Sequence, residues 1–285
     1  MKKLLLSLLL VLTACQGSQV PSNLEVSGDT KADIVGGREV LSSEKLASIV
    51  LSLRTSVTLH GELLQNAQCT ASALTPWLVL TAAHCVSTDV RESHIEVFDQ
   101  DRQMTSVRVA NAYVHPLYAS NPKMDLAILE LETTLPSWVE RLSLPVIFKK
   151  LPVKEITASG YGRKTGVVSA NGEGGILRAT NLAVIDFSYS KTSFRVDQTH
   201  GHGFCQGDSG GPAIVRKNGT NFIVGVASTT YFKRKSRKEE DRCNNQGEYV
   251  NLQNSSIQYW IYKIVGRLKV GAHIPESLAQ TFEQK

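Results

Sequence analysis

Short β-branched runs, broken at close intervals by turn-forming residues, limit this chain to an all-β architecture. Leu46-Ala47-Ser48-Ile49-Val50-Leu51-Ser52-Leu53, Trp77-Leu78-Val79-Leu80, Ser106-Val107-Arg108-Val109 and Leu182-Ala183-Val184-Ile185 all read as strands. Asn218-Gly219, between Ala213-Ile214-Val215 and Phe222-Ile223-Val224, is a strong hairpin signal because both residues tolerate positive φ. Many short strands with frequent turns predict an antiparallel sandwich or barrel. The exception lies late in the chain, where Ile257, Trp260, Ile261, Ile264 and Val265 recur at helical spacing and are expected to pack on a core. The 285 residues suffice for one large all-β domain or two small ones.

Hydrophobic residues at 42% and charged residues at 20% give an ordinary globular balance. The net charge of +5, or +3 without Lys2 and Lys3, is too small to argue for a nucleic-acid partner. The one dense basic run, Lys233-Arg234-Lys235-Ser236-Arg237-Lys238, is followed at once by Glu239-Glu240-Asp241 and reads as a self-compensated, solvated loop. Asn171-Gly172-Glu173-Gly174-Gly175 lacks the Lys-Ser/Thr of a phosphate cradle. Phe98-Asp99-Gln100-Asp101 offers two carboxylates, whereas calcium takes about six to eight oxygens. No metal and no cofactor is expected.

Met1-Lys2-Lys3 is a positive leader, and Leu4 through Leu12 forms an apolar core too short for a permanent bilayer span. It ends in Leu12-Thr13-Ala14-Cys15, which resembles the lipobox of bacterial lipoproteins. The resemblance implies a signal peptide at 1–14, lipid on Cys15 and an extracytoplasmic, membrane-anchored protein. Gln16 after the cysteine favours an outer membrane. The alternative is an ordinary secretory signal with a chance cysteine. Residues 15–33, rich in Ser, Gly, Asp and Pro, read as a tether or propeptide. Five cysteines are an odd number for a secreted chain. Assigning Cys15 to lipid leaves Cys69, Cys85, Cys205 and Cys243, which sequence alone allows to pair in any of three ways. Such bonds persist outside a reducing cytosol, in agreement with the leader.

Three segments carry chemistry: Thr81-Ala82-Ala83-His84-Cys85, then Asp125-Leu126-Ala127-Ile128-Leu129, then Gly207-Asp208-Ser209-Gly210-Gly211-Pro212. A serine hydroxyl is a poor nucleophile at neutral pH and needs an adjacent base. Histidine titrates near neutrality and can take and return the proton, while a buried carboxylate fixes its tautomer. Alone, the first segment would be a buried histidine beside a cysteine, and the last a turn. Together, in the order His84, Asp125, Ser209, they resemble the chymotrypsin/trypsin family of serine proteases. Ile34-Val35-Gly36-Gly37, His115-Pro116-Leu117-Tyr118 and Gly160-Tyr161-Gly162 add to the resemblance, which covers roughly residues 34 to 266.

The resemblance implies two packed antiparallel β-barrels with the triad between them, a closing helix, a protease domain at 34–270 and a tail at 271–285. Leu144-Pro145 would be the crossing between barrels. It pairs Cys69 with Cys85 and Cys205 with Cys243. Ser209 would be the nucleophile, His84 the base, Asp125 its orienting carboxylate, and the amides of Gly207 and Ser209 the oxyanion hole. Cutting before Ile34 would release an amine that pairs with Asp208, making the chain a zymogen. Asp33 departs from the basic residue usual before such a cut, although Lys31 is near. The specificity pocket maps to Gly203, Phe204, Ser228, Thr230 and Gly247. Gly203 supplies no carboxylate for Lys or Arg, and Phe204 and Thr230 add bulk, so small or medium apolar residues are expected; a Phe204 that points away would leave a deep apolar pocket. Thr229 stands where an aromatic subsite wall is common. The expected partners are protein or peptide substrates, and the chain is expected to be a monomer. The rival reading is a catalytically silent binding module on the same fold.

Overall fold

The computed structural model describes residues 34–59, 62–87, 89–144, 150–163, 175–232 and 243–268. The leader, Cys15, the tether, Pro145, the run at 233–241, residues 171–174 and the tail at 271–285 lie outside the described residues.

After a two-residue strand, β1 (Arg38–Glu39), the chain forms β2 (Val50–Leu59), β3 (Glu62–Ala73), β4 (Leu78–Thr81), β5 (His94–Phe98), β6 (Met104–Val114) and β7 (Ala127–Leu131). Strands β2 to β7 close an antiparallel barrel in the order β2-β3-β4-β7-β6-β5. Closure removes sheet edges, and alternation along the strands turns Leu51, Leu53, Leu80, Ile95, Val109 and Ile128 into a buried core.

The second half builds β8 (Glu155–Gly160), β9 (Arg178–Ala183), β10 (Ser193–Asp197), β11 (Pro212–Lys217), β12 (Thr220–Tyr231) and β13 (Gln246–Asn251). With β1 they make a seven-stranded sheet ordered β1-β9-β8-β11-β12-β13-β10. It curls without closing into a full ladder, and a single bridge from Val184 to Val196 joins the region after β9 to β10. Ile156, Leu182, Phe194, Val196, Phe204, Val224 and Tyr249 fill its interior. The expected all-β pair is present, as one closed barrel and one half-barrel.

Asn218 (φ 50°) and Gly219 (φ 78°) form the two-residue turn between β11 and β12, as their tolerance of positive φ predicts. The run at 46–53 divides differently. Lys45–Ser48 makes one 3-10 turn, and the strand starts at Val50. A short apolar run buries its residues equally well either way, so periodicity cannot separate the two. Likewise β9 ends at Ala183, two residues before the apolar run does. The helix α1 (Ser255–Arg267) starts at Asn254, whose Oδ1 accepts from the amides of Ser256 and Ile257. Its Ile257, Trp260, Ile261 and Val265 join the first barrel's cluster, where Trp260 lies 4.9 Å from the His115 ring. That contact gives His115 a packing role.

Candidate active site

His84 sits in a single 3-10 turn, Ala83–Cys85, just after β4. Cys85 is bonded to Cys69 of β3, so the turn is tied to the neighbouring strand. Asp125 follows another 3-10 turn, Pro122–Met124, and is 3% exposed. A buried carboxylate needs partners for its lone pairs. Asp125 Oδ1 accepts from the His84 backbone amide at 2.9 Å, and Oδ2 lies 2.7 Å from His84 Nδ1. Ser228 Oγ donates to the same Oδ2 at 2.6 Å. These contacts fix the ring's orientation and leave Nε2 as its outward nitrogen.

Ser228 was expected on the pocket wall. It reaches Asp125 because β12 slips register against β13 between Ala227 and Thr229. A bulge of this kind re-aims one side chain without ending the strand. No spacing pattern in the sequence marks it.

The segment carrying Ser209 is pinned from both halves of the molecule. Thr70 of β3 donates its amide to Ser209 O at 2.8 Å and its hydroxyl to Gly207 O at 2.9 Å. Gly210 N donates to Ala227 O of β12 at 2.8 Å. Gly210 adopts φ +84°, and a Cβ there would collide with Thr81 Oγ1 and Thr70 O, so only glycine fits. Among the described residues, the amides of Gly207 and Ser209 donate to no protein acceptor. The Ser209 hydroxyl likewise makes no hydrogen bond to His84 there. Such bonds are often long in substrate-free sites and tighten on binding.

Asp208 is 1% exposed. Its Oδ1 accepts from Gly162 N and its Oδ2 from Cys205 N, each at 2.8 Å. Burial pushes its carboxyl up to about 7, although these amides and the charge of Arg178 pull it down. Arg178 is itself 2% exposed, and its Nη1 donates to the carbonyls of Gly162 and Ile176. A buried guanidinium beside Gly160-Tyr161-Gly162 was not apparent in the sequence, where Arg178 opens an unremarkable strand. Ile34 is also buried, and Val35 bridges to Gly203, whose amide donates to Val35 O at 2.8 Å.

The pocket residues come together beside this segment. Thr230 pairs with Gly247 across β12 and β13. Phe204 is buried with its ring edge-on to Tyr249 at 5.0 Å, and it abuts Gly247 closely enough to exclude a Cβ there. Phe204 therefore turns inward and occupies space beside the pocket. Cys205 is bonded to Cys243, the second pair implied by the resemblance. Asp99 accepts from the amides of Asp101 and Gln103, which makes it a turn-forming residue between β5 and β6.

The Trypsin family model matches residues 34–261. The chain is 28% identical to Protein masquerade of Drosophila melanogaster, over 84% of this chain and 24% of that protein. It is 28% identical to Ovochymase of Halocynthia roretzi, over 54% of this chain and 11% of that protein. Tryptase of Mus musculus is 26% identical over 70% of this chain and 80% of its own length. The chain thus spans a quarter or less of the first two relatives and most of the third. With the Trypsin model covering the whole span from Ile34 to Ile261, and His84, Asp125 and Ser209 all inside it, the chain belongs to the trypsin family of serine proteases.

Proposed function

We propose that the protein is a serine endopeptidase in which His84, Asp125 and Ser209 act as the triad. The observation that carries this is the orientation of His84 by the buried, triply bonded Asp125 beside two unengaged amides at Gly207 and Ser209. Ser209 Oγ attacks the substrate carbonyl as its proton passes to His84 Nε2. Asp125 holds Nδ1–H and stabilises the imidazolium. The carbonyl oxygen, now negative, is met by the Gly207 and Ser209 amides, and losing one such donor costs about 2.7–4 kcal/mol in comparable sites. Collapse breaks the C–N bond, His84 returns its proton to the leaving amine, and water repeats the sequence on the acyl-enzyme.

Activation follows from Asp208. A buried carboxyl without a full counter-charge is costly, and an α-ammonium freed by cutting before the buried Ile34 would supply one. Lipid on Cys15 and export to a bacterial membrane remain part of the reading, motivated by Leu12-Thr13-Ala14-Cys15. The substrates are proteins or peptides, and Gly203 offers basic residues no charge. Small or medium apolar residues such as Ala, Val or Leu are preferred.

The test is covalent labelling by a fluorophosphonate probe. Wild type should label and Ser209→Ala should not. Labelling that survives the substitution sinks the assignment, and a mature wild type that never labels favours a silent binding module. N-terminal sequencing of active material should find Ile34, and Cys15 as the sole N-terminus of a fully active enzyme would refute activation by cutting.

A further inference from the structure

The pocket beside Ser209 has two glycines, Gly203 and Gly247, where side chains could point inward, yet it is not empty. A Cβ on Gly203 would collide with Nε2, Cδ and Cγ of Gln198, and a Cβ on Gly247 would collide with Oε1 of the same residue. One amide therefore occupies the space that both glycines vacate. Gln198 follows β10, where its backbone amide donates to Asn245 O at 2.9 Å, and its side chain is fully buried. Nε2 donates to Phe204 O at 3.1 Å and to Cys243 O at 2.8 Å. Both partners are carbonyls, which accept only, so nitrogen must face them and oxygen must face Gly247. That oxygen has no hydrogen-bond partner among the described residues. The amide is thus engaged at its nitrogen alone. Its oxygen is turned toward Gly247, on the side from which Phe204 also presses.

We propose that Gln198 is the floor of the specificity pocket and determines what the enzyme accepts before the scissile bond. This rests on the protease reading above and sharpens it. The side chain absent at 203 is replaced from 198, neutral and already spanned by two hydrogen bonds, so it cannot swing away without breaking both. The pocket is closed from below by Gln198 and flanked by Phe204. It therefore favours short uncharged side chains, with methionine excluded by length and lysine and arginine by length and charge together.

The experiment measures kcat/KM of the purified active enzyme on a peptide series differing only in the residue before the cut. For wild type, alanine and valine peptides should exceed methionine peptides by at least about tenfold. Gln198→Ala removes the floor and should raise the methionine-to-alanine ratio by at least about tenfold, while Gln198→Met, which keeps the bulk and drops the amide, should hold the ratio near wild type. If Gln198→Ala fails to melt cooperatively, Gln198→Asn, one methylene shorter, should raise the ratio to an intermediate value. A wild type that cuts after methionine as readily as after alanine, or a ratio unmoved in Gln198→Ala or Gln198→Asn, overturns the proposal. A wild type unreactive toward the fluorophosphonate overturns the protease reading itself, so the two failures are told apart.

Discussion

At the scale of single residues, the site depends on how the second oxygen of Asp125 is shared between Nδ1 of His84 and the hydroxyl of Ser228. The two contacts do different work in the proposed mechanism, so their removal should differ in size. Asp125→Asn presents an amide to the ring and selects the wrong tautomer, so kcat at neutral pH should drop by about 10⁴-fold with little change in KM. Ser228→Ala leaves the His84 contact intact and removes one charge-assisted bond, worth about 1.5–3 kcal/mol, so kcat should fall at most about ten- to hundredfold. Steady-state kinetics on one peptide substrate check both, and equal losses would contradict the division of roles. His84, Asp125 and Ser209 were legible because their segments carry distinctive neighbours. Ser228 was legible as a nearby residue but not in its direction, which a bulge decides. Gln198 and Arg178 were not legible at all. A neutral amide after one strand and a cation opening another look like surface residues until the fold buries them.

Elements reveal where pattern suffices and where it does not. The helix could be read from Ile257, Trp260, Ile261, Ile264 and Val265 because a 3.6-residue period repeated over two turns has no strand equivalent. The turn at Asn218-Gly219 could be read because its φ values demand those residues. The start of β2 could not, since Leu46 in the 3-10 turn and Ile49 just after it are buried as fully as they would be in a strand. Asn254 offers a test at this scale. Its Oδ1 caps α1, and its Nδ2 donates to Ser190 O at 3.0 Å, tying the helix start to the loop before β10. Asn254→Ala loses a cap worth about 1 kcal/mol, with a further loss for the tie. Urea denaturation should show a lower midpoint with an unchanged slope, and fluorophosphonate labelling of the folded protein should persist.

For the molecule as a whole, Asp208 would link pH to the proposed cut before Ile34. In the uncut chain its folded value is about 7 against an ordinary 3.8, so between those limits the folded form holds a proton that the unfolded form releases. Stability then declines as pH rises from about 4 to 7 and levels off above, a loss on the order of 4 kcal/mol. An ammonium at Ile34 would draw the value down and remove that decline. Ser209→Ala protein, uncut and cut before Ile34, should therefore melt with a Tm gap that widens from pH 5 to pH 7.5, the uncut form falling behind. A gap independent of pH would count against the pairing. The two-part architecture has another consequence. His84 and Asp125 belong to the closed barrel, whereas the Ser209 segment leads into the curled sheet and is held in place by Thr70 and Ala227. His84 and Asp125 leave the ribosome before Ser209, and Ala227 after it, so in the proposed mechanism a chain whose halves have not docked carries no assembled triad. In that mechanism, docking of the two halves is a requirement for cutting that is separate from the release of Ile34.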